Sequence, residues 1–326
     1  MLDKKTGMEP LFHLSKPDKE WNESYYFIFY DKKQHLGGMS RLGFKPNKQE
    51  GTDFFILFLP DGSAALYNFG EKVTDEDRKK TSVGGMTYER LSSGQWHYKF
   101  NGKMVVAKKP EDLPKVGQHR ELIAKIINVN LDLTLSPINE TYEYSKNMTP
   151  ESLELGKKSG DEHWEQIGKV QGQIEIDDKT YSIADIIGQR DHTHGVRDWT
   201  GIGNWLYFVV WFNEKLCVNP AAIVADDGRV SSGGFIFKDG KNIPIKSICV
   251  LEQLFGSNNL PVSCKIEIID AYDEHHVLEG KTGPLVPIPF IDENGKLSVL
   301  VQAFGEFKLD KETGGYGSFE NLRKMK

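Results

Sequence analysis

Twelve residues, Gly188-Gln-Arg-Asp-His-Thr-His-Gly-Val-Arg-Asp-Trp199 (GQRDHTHGVRDW), gather two arginines, two aspartates and two histidines in front of a tryptophan. Carboxylates and imidazoles at this density suit acid–base catalysis, and His192-x-His194 on a strand suits metal ligation. Read as a strand with a turn at Gly195, the stretch alternates: Arg190, His192 and His194 lie on one face, Asp191 and Thr193 on the other. Neighbouring Arg190 and Asp191 then cannot pair with each other. Arg190, Arg197 and Asp198 read as a structural brace, the arginines meeting carboxylates on adjacent strands or Asp198 across the turn. Asp191 and His192, followed by Trp199, Trp205 and Trp211, read as the floor of an aromatic pocket. For a metal, His163 or Glu165 would supply a third ligand. Neither CxxC nor HExxH supports that reading, and it ranks below acid–base chemistry.

These residues need strands to hold them. The runs Tyr25-Tyr-Phe-Ile-Phe-Tyr30, Phe54–Leu59, Leu206–Trp211 and Val262–Ile269 are short and rich in β-branched and aromatic residues. Asp61-Gly62, Asn101-Gly102, Asp227-Gly228, Asp239-Gly240 and Asn294-Gly295 read as hairpin turns. Helical periodicity is scarce, the best candidates being near Pro110 and Pro150. The pattern predicts an all-β fold of antiparallel strands in sandwiches or barrels. The polar stretch Tyr144–Glu162 reads as the boundary between an N-terminal domain, 1–150, and a C-terminal domain, 160–326, that carries the motif. In the first half, Trp21, Glu23, Tyr25, Phe27 and Phe29 share a face by alternation. Either Glu23 is the wet end of a core strand, or the face lines a ligand. His163-Trp164-Glu165-Gln166 opens the second half in the same style.

A net charge of −6 without a basic run argues against nucleic acid as a partner. The polar, proline-broken first twenty residues do not read as a secretory signal, and no apolar run is long enough for a membrane span. Three widely spaced cysteines, Cys217, Cys249 and Cys264, read as buried reduced thiols, and the expected location is cytoplasmic. His275-His276 reads as a solvated strand end. Neither GxGxxG nor GxxxxGK[ST] occurs, so no cofactor is expected. Oligomeric state is not legible.

WNESYYFIFYD with LGGMSRLGFKPN, then HWEQIGKVQGQIEIDDKTYSI, GQRDHTHGVRDW and GYGSFENL resemble the tandem lipocalin-like (calycin) proteins. That group includes the AttH-like proteins, the carotenoid 1,2-hydratases (hydroxyneurosporene synthases) and, more distantly, lipocalin-type cyclases and Diels-Alderases. The resemblance is greatest to a two-domain branch with a motif like RDHSWGPRDW. It covers almost the whole chain and implies two lipocalin-like barrels side by side, with an apolar cavity near their junction. Acidic and aromatic residues around the motif are the implied site. Carried onto this sequence they are His163, Glu165, Arg190, Asp191, His192, Arg197, Asp198 and Trp199. The chain departs from the pattern at Thr193, His194 and Val196, where serine, tryptophan and proline are usual.

The chemistry expected is that of a cofactor-independent hydratase or cyclase acting on an apolar terpenoid, carotenoid or polyketide-like molecule. Asp191 would be the acid, His192 or His194 the proton relay and Glu165, beside His163, a second base. Trp199, Trp205, Tyr207, Tyr25, Trp21, Trp164 and Glu23 would line the substrate. The alternatives are a non-catalytic carrier of such a molecule and a metal-assisted hydrolase.

Overall fold

The computed structural model describes residues 8–325. Its strands fall into two compact units. The first contains β1 (Trp21–Asp31), β2 (Leu36–Lys45), β3 (Glu50–Phe58), β4 (Ala64–Lys72), β5 (Ser82–Val83), β6 (Met86–Arg90), β7 (Trp96–Ala107), β8 (Ile123–Pro137), β9 (Tyr142–Glu143), β10 (Glu162–Ile176) and β11 (Lys179–Val196). Their order is β4-β3-β2-β1-β11-β10-β8-β7-β6-β5, and β4 also pairs with β7. That extra pairing closes a ring of eight antiparallel strands, the size at which a barrel interior holds side chains or one small ligand. Tyr25, Phe27 and Phe29 of β1 turn inward with Leu42, Phe55, Trp96, Tyr98 and Leu133 to form its core.

The second unit is a closed antiparallel barrel of β12 (Asn204–Asn213), β13 (Leu216–Val224), β14 (Val230–Lys238), β15 (Lys241–Phe255), β16 (Pro261–Asp270), β17 (His275–Ile291), β18 (Leu297–Leu309) and β19 (Glu312–Lys324). Its own core includes Phe208, Val218, Ile266, Phe307 and Phe319. Helix α1 (Asp75–Lys79) belongs to the first unit. The helices α2 (Tyr144–Asn147) and α3 (Pro150–Gly156) belong to the second, α3 lying against β14.

The all-β expectation agrees with this architecture, but the chain is not divided at residues 150 to 160. Tyr144–Gly160 packs with the second unit, and Asp161–Val196 returns to the first. Strands β10 and β11 fill the gap between β1 and β8, so the motif from Gly188 to Val196 belongs to the first barrel, and only its last three residues, Arg197 to Trp199, fall in the second unit. Backbone hydrogen bonding decides this: without the two strands, β1 and β8 would each keep an open edge.

Four of the five expected turns join strands. Asn101-Gly102 instead lies inside β7, where a Cβ on Gly102 would stand 2.8 Å from the Phe100 ring and 3.3 Å from that of Tyr67. There glycine makes room for aromatic rings rather than turning the chain. Nor is there a turn at Gly195, since β11 runs on to Val196 with Gly195 paired to Asn22. Cys217 and Cys264 are buried, but Cys249 is exposed. His275 and His276 open β17 and contact Glu267 and Asp310.

Candidate functional site

The alternation in β11 holds, and it divides the motif into two clusters on opposite faces of the strand. Residues directly opposite in a ladder share a face. His192 pairs with Tyr25 on one side and Trp164 on the other, Arg190 with Phe27 and Gln166, and Asp191 with Tyr26 and Glu165. Tyr25 and Phe27 point into the barrel, so Arg190, His192 and Trp164 do as well. Asp191 and Glu165 point out.

Within the barrel, Glu23 is the centre of charge. It is 1% exposed, so it is not a wet strand end. Its Oε1 lies 2.7 Å from His13 Nδ1 and 3.2 Å from His192 Nε2, while Oε2 accepts from Arg78 Nη2 at 2.8 Å. A second carboxylate, Glu9, accepts both Nη groups of Arg190 and stands 3.8 Å from His192 Nδ1. Arg190 also donates to Gln166 at 2.7 Å and lies over the Trp96 ring at 4.8 Å. Burial works against charge in both carboxylates, yet the partners win. His13 and His192 hold Glu23 far below the usual carboxylate range, and Arg190 and His192 do the same for Glu9. For His192, burial lowers the pKa, and the hydrogen bond to Glu23 with the charges of Glu23 and Glu9 more than reverses it, so its imidazolium is favoured. His194 responds in the opposite way. Burial, then the neighbouring His13 and His192, push it down to about 4, and it is a neutral base at physiological pH.

Aromatic rings enclose these groups. Tyr25 stacks on His192 at 4.3 Å, and its hydroxyl donates to the Leu11 carbonyl. His13 and His194 have ring centroids 4.0 Å apart, with Trp164 at 5.5 Å and Trp21 at 5.9 Å from His194. The indole N–H of Trp164, Nδ1 of His192 and Nδ1 of His194 are buried and meet no hydrogen-bond partner among the described residues.

On the outer face, His163 Nε2 lies 2.8 Å from Glu165 and 3.7 Å from Asp191, and Gln189 donates to the other oxygen of Glu165 at 2.7 Å. Burial opposes charge on His163, but Asp191 and Glu165 raise its pKa to about 9. Asp191 is therefore a partner of His163 and stands on the far side of the strand from the imidazoles it was expected to serve.

The expected aromatic floor also divides. Tyr25, Trp21, Trp164 and Glu23 are with His192, whereas Trp199, Trp205 and Tyr207 belong to a cluster of the second unit with Ile202, Leu300, Leu322 and Phe290. Trp199 stacks on Phe290 at 4.5 Å, and Trp205 donates to Glu320 at 3.0 Å. Of the three expected brace residues, Arg190 meets Glu9 from the N-terminal segment. Arg197 donates to the Ser159 carbonyl at 3.0 Å and lies over Trp199 at 5.2 Å, and Asp198 caps the next turn by accepting from Gly201 N at 2.8 Å.

Two trios could hold a metal ion, His13–Glu23–His192 and His163–Glu165–Asp191, the ligand atoms of each lying within 4.8 Å of one another. The first already has the Arg78 guanidinium on Glu23, which repels a divalent cation. The pair His192–His194 with His163 or Glu165 as third ligand is ruled out by the two faces.

Over residues 11–325 the sequence matches DUF7064, a domain of unknown function, and the chain belongs to that family. No curated protein matches it. Among solved structures the fold is similar to an AttH protein of Nitrosomonas europaea, at TM-score 0.61 and 10% identity over 92% of both chains. CghA resembles it at TM-score 0.54 and 8% identity, over 94% of this chain and 88% of that one. Kievitone hydratase of Nectria haematococca does so at TM-score 0.50 and 8% identity, over 93% and 88%. At these identities the likeness is one of fold.

Proposed function

We propose that the chain is an enzyme of the hydratase or cyclase kind, a lyase working by proton transfer inside the first barrel without a cofactor. One observation carries this reading: a buried imidazole, His192, is held between two carboxylates on the barrel's inner wall, with a neutral imidazole, His194, two residues away on the same face. That arrangement is a proton donor and a proton acceptor side by side in an apolar, aromatic enclosure. His192 gives its proton to one end of a double bond. The face of Tyr25 or Trp164 stabilises the developing cation by about 0.5–2 kcal/mol. Water or an internal nucleophile then adds, and its proton goes to His194.

An imidazolium is too weak an acid for an isolated alkene, so the double bond is one polarised by a nearby oxygen function. A terpenoid, carotenoid or polyketide-like molecule with such a group fits. The hydratase among the structures of like fold supports the reaction type, and the resemblance to carotenoid hydratases supports the substrate class. Glu23 and Glu9 are positioning residues that keep His192 charged.

The expected outcome is that His192→Ala lowers turnover of the molecule extracted with the protein by about 100-fold or more, in the range for loss of a general acid. His194→Gln would lower it less, and Asp191→Asn would leave it nearly unchanged. Unchanged turnover in His192→Ala sinks the proposal.

A carrier is the second reading, favoured by the ion pairs of Arg78 with Glu23 and Arg190 with Glu9, which make the wall rigid. Native mass spectrometry that returns the ligand chemically intact after long incubation would support it.

A further inference from the structure

One titratable group on the inner wall of the first barrel takes no part in this chemistry. Asp53 pairs with Leu42, Leu42 with Tyr25, and Tyr25 with His192. Opposite residues share a face, so Asp53 points into the same interior as His192, three strands round the ring. Its own strand agrees, since Phe55 and Leu57 are core residues. Asp53 is 0% exposed, and neither carboxyl oxygen meets hydrogen-bond geometry with any described residue.

The groups that face it are Tyr67 and Glu71 of β4, Tyr88 of β6 and the Met86 amide; none is a cation. Burial raises its pKa, Met86 offsets part of that and Glu71 adds to it, and the result is about 8. At neutral pH Asp53 is a carboxylic acid with one O–H donor to give. A leucine would fill the same place without burying a carboxyl whose one nearby donor among the described residues is the Met86 amide. Two further atoms of this wall, the Tyr98 hydroxyl and the Trp96 indole N–H, are likewise buried and without a partner among the described residues.

We infer that Asp53 is a ligand-binding residue whose carboxyl O–H donates to an acceptor oxygen on the molecule held inside the first barrel. The substrate would then carry a carbonyl, ether or hydroxyl oxygen remote from the double bond that His192 protonates. This inference rests on the reading of the barrel interior as the binding site, but not on turnover.

The test uses prodan, a neutral aromatic ketone whose emission moves to the red when its carbonyl accepts a hydrogen bond and to the blue in a dry apolar site. Wild type is expected to bind prodan with red-shifted emission. In Asp53→Leu the emission moves to the blue and Kd rises about tenfold, the size of one lost hydrogen bond. Asp53→Asn, whose amide still donates, keeps the red shift. In wild type the shift fades above about pH 8, as the O–H is lost, and in Asp53→Asn it does not. Turnover of the molecule extracted with the protein is measured separately in His192→Ala, where its loss or retention reports on the proposed reaction alone, while prodan is read only in wild type and the Asp53 variants. Failure of the catalytic reading and failure of the Asp53 inference therefore appear in different measurements. Equal affinity and emission in wild type and Asp53→Leu, or no binding of prodan to wild type, overturns the inference.

Discussion

Two histidines two residues apart, His192 and His194, are driven in opposite directions by what surrounds them. Carboxylates raise the first, and burial with neighbouring imidazoles lowers the second to about 4. One residue type thereby supplies a charged imidazole and a neutral one on the same face, the pair that the proposed proton transfer uses. On the outer face His163 gives a measurable consequence. Its pKa is raised from 6.5 to about 9. A group with a raised folded-state pKa contributes stability that is fully present below its unfolded value and is lost as pH rises through its folded value. His163 should contribute about 3 kcal/mol of stability that is lost between pH 6.5 and 9 in urea unfolding, because a tenfold difference in proton affinity between the folded and unfolded states is worth about 1.4 kcal/mol. The fall over that range should be smaller by this amount in His163→Gln, the part due to buried Asp53 remaining, and an equal fall in the variant would separate His163 from the pH dependence. Within the inner cluster, residue types alone pointed to His192 and Glu23, but not to Glu9, His13 or Arg78. Glu9 lies 181 positions from Arg190, and Arg78 lies 55 from Glu23. Alternation tells which way a side chain points; it does not tell what crosses the barrel to meet it. Arg78 stands in DEDRK, an ordinary solvated charge run by composition, yet it is 2% exposed.

The element that makes the site is the pair β10–β11, and its glycines explain how the two strands come so close to their neighbours. Gly168 and Gly188 are opposite each other. A Cβ on Gly188 would stand 2.6 Å from Val170 Cγ2 and 2.8 Å from the Ile28 carbonyl, and one on Gly168 would stand 2.4 Å from Leu135. The backbone carbonyl of Ile28 belongs to the ladder and cannot retreat cheaply. Gly188→Ala is therefore expected to destabilise the protein by about 1–3 kcal/mol, the usual cost of overpacking, with a matching drop in the denaturant midpoint. Stability within about 0.5 kcal/mol of wild type would show that the strands can part at that point. The strands themselves were legible from aromatic and β-branched runs and from Asp-Gly and Asn-Gly turns. Asn101-Gly102 misled because the same dipeptide serves two purposes, a left-handed turn or room for neighbouring rings. The sequence around it does not distinguish them.

At the scale of the whole molecule, composition marked the most polar stretch as the domain boundary, whereas hydrogen bonding places the change of unit elsewhere and makes the chain cross it more than once. Polarity reports exposure to water, and Tyr144–Glu162 is indeed rich in polar residues, but closure of a barrel is decided by which strands have unpaired edges. In the first unit β11 and β10 fill the ring between β1 and β8. A fragment ending at residue 150 lacks both strands and leaves two long, flat edges next to an inner wall that includes Phe27, Tyr98 and Leu133. It also leaves Glu9 without Arg190, its closest cation, whereas Glu23 keeps Arg78 and His13, and breaking a buried pair by removing one partner costs about 3–5 kcal/mol. That fragment should aggregate and show no cooperative unfolding transition. One ending at residue 196 restores the ring and the Arg190 partner of Glu9, and should remain soluble with a single transition in urea. Cooperative unfolding of the shorter fragment would mean that six strands of the ring close without β10 and β11, and the charged motif would then be an addition to the barrel rather than part of its wall.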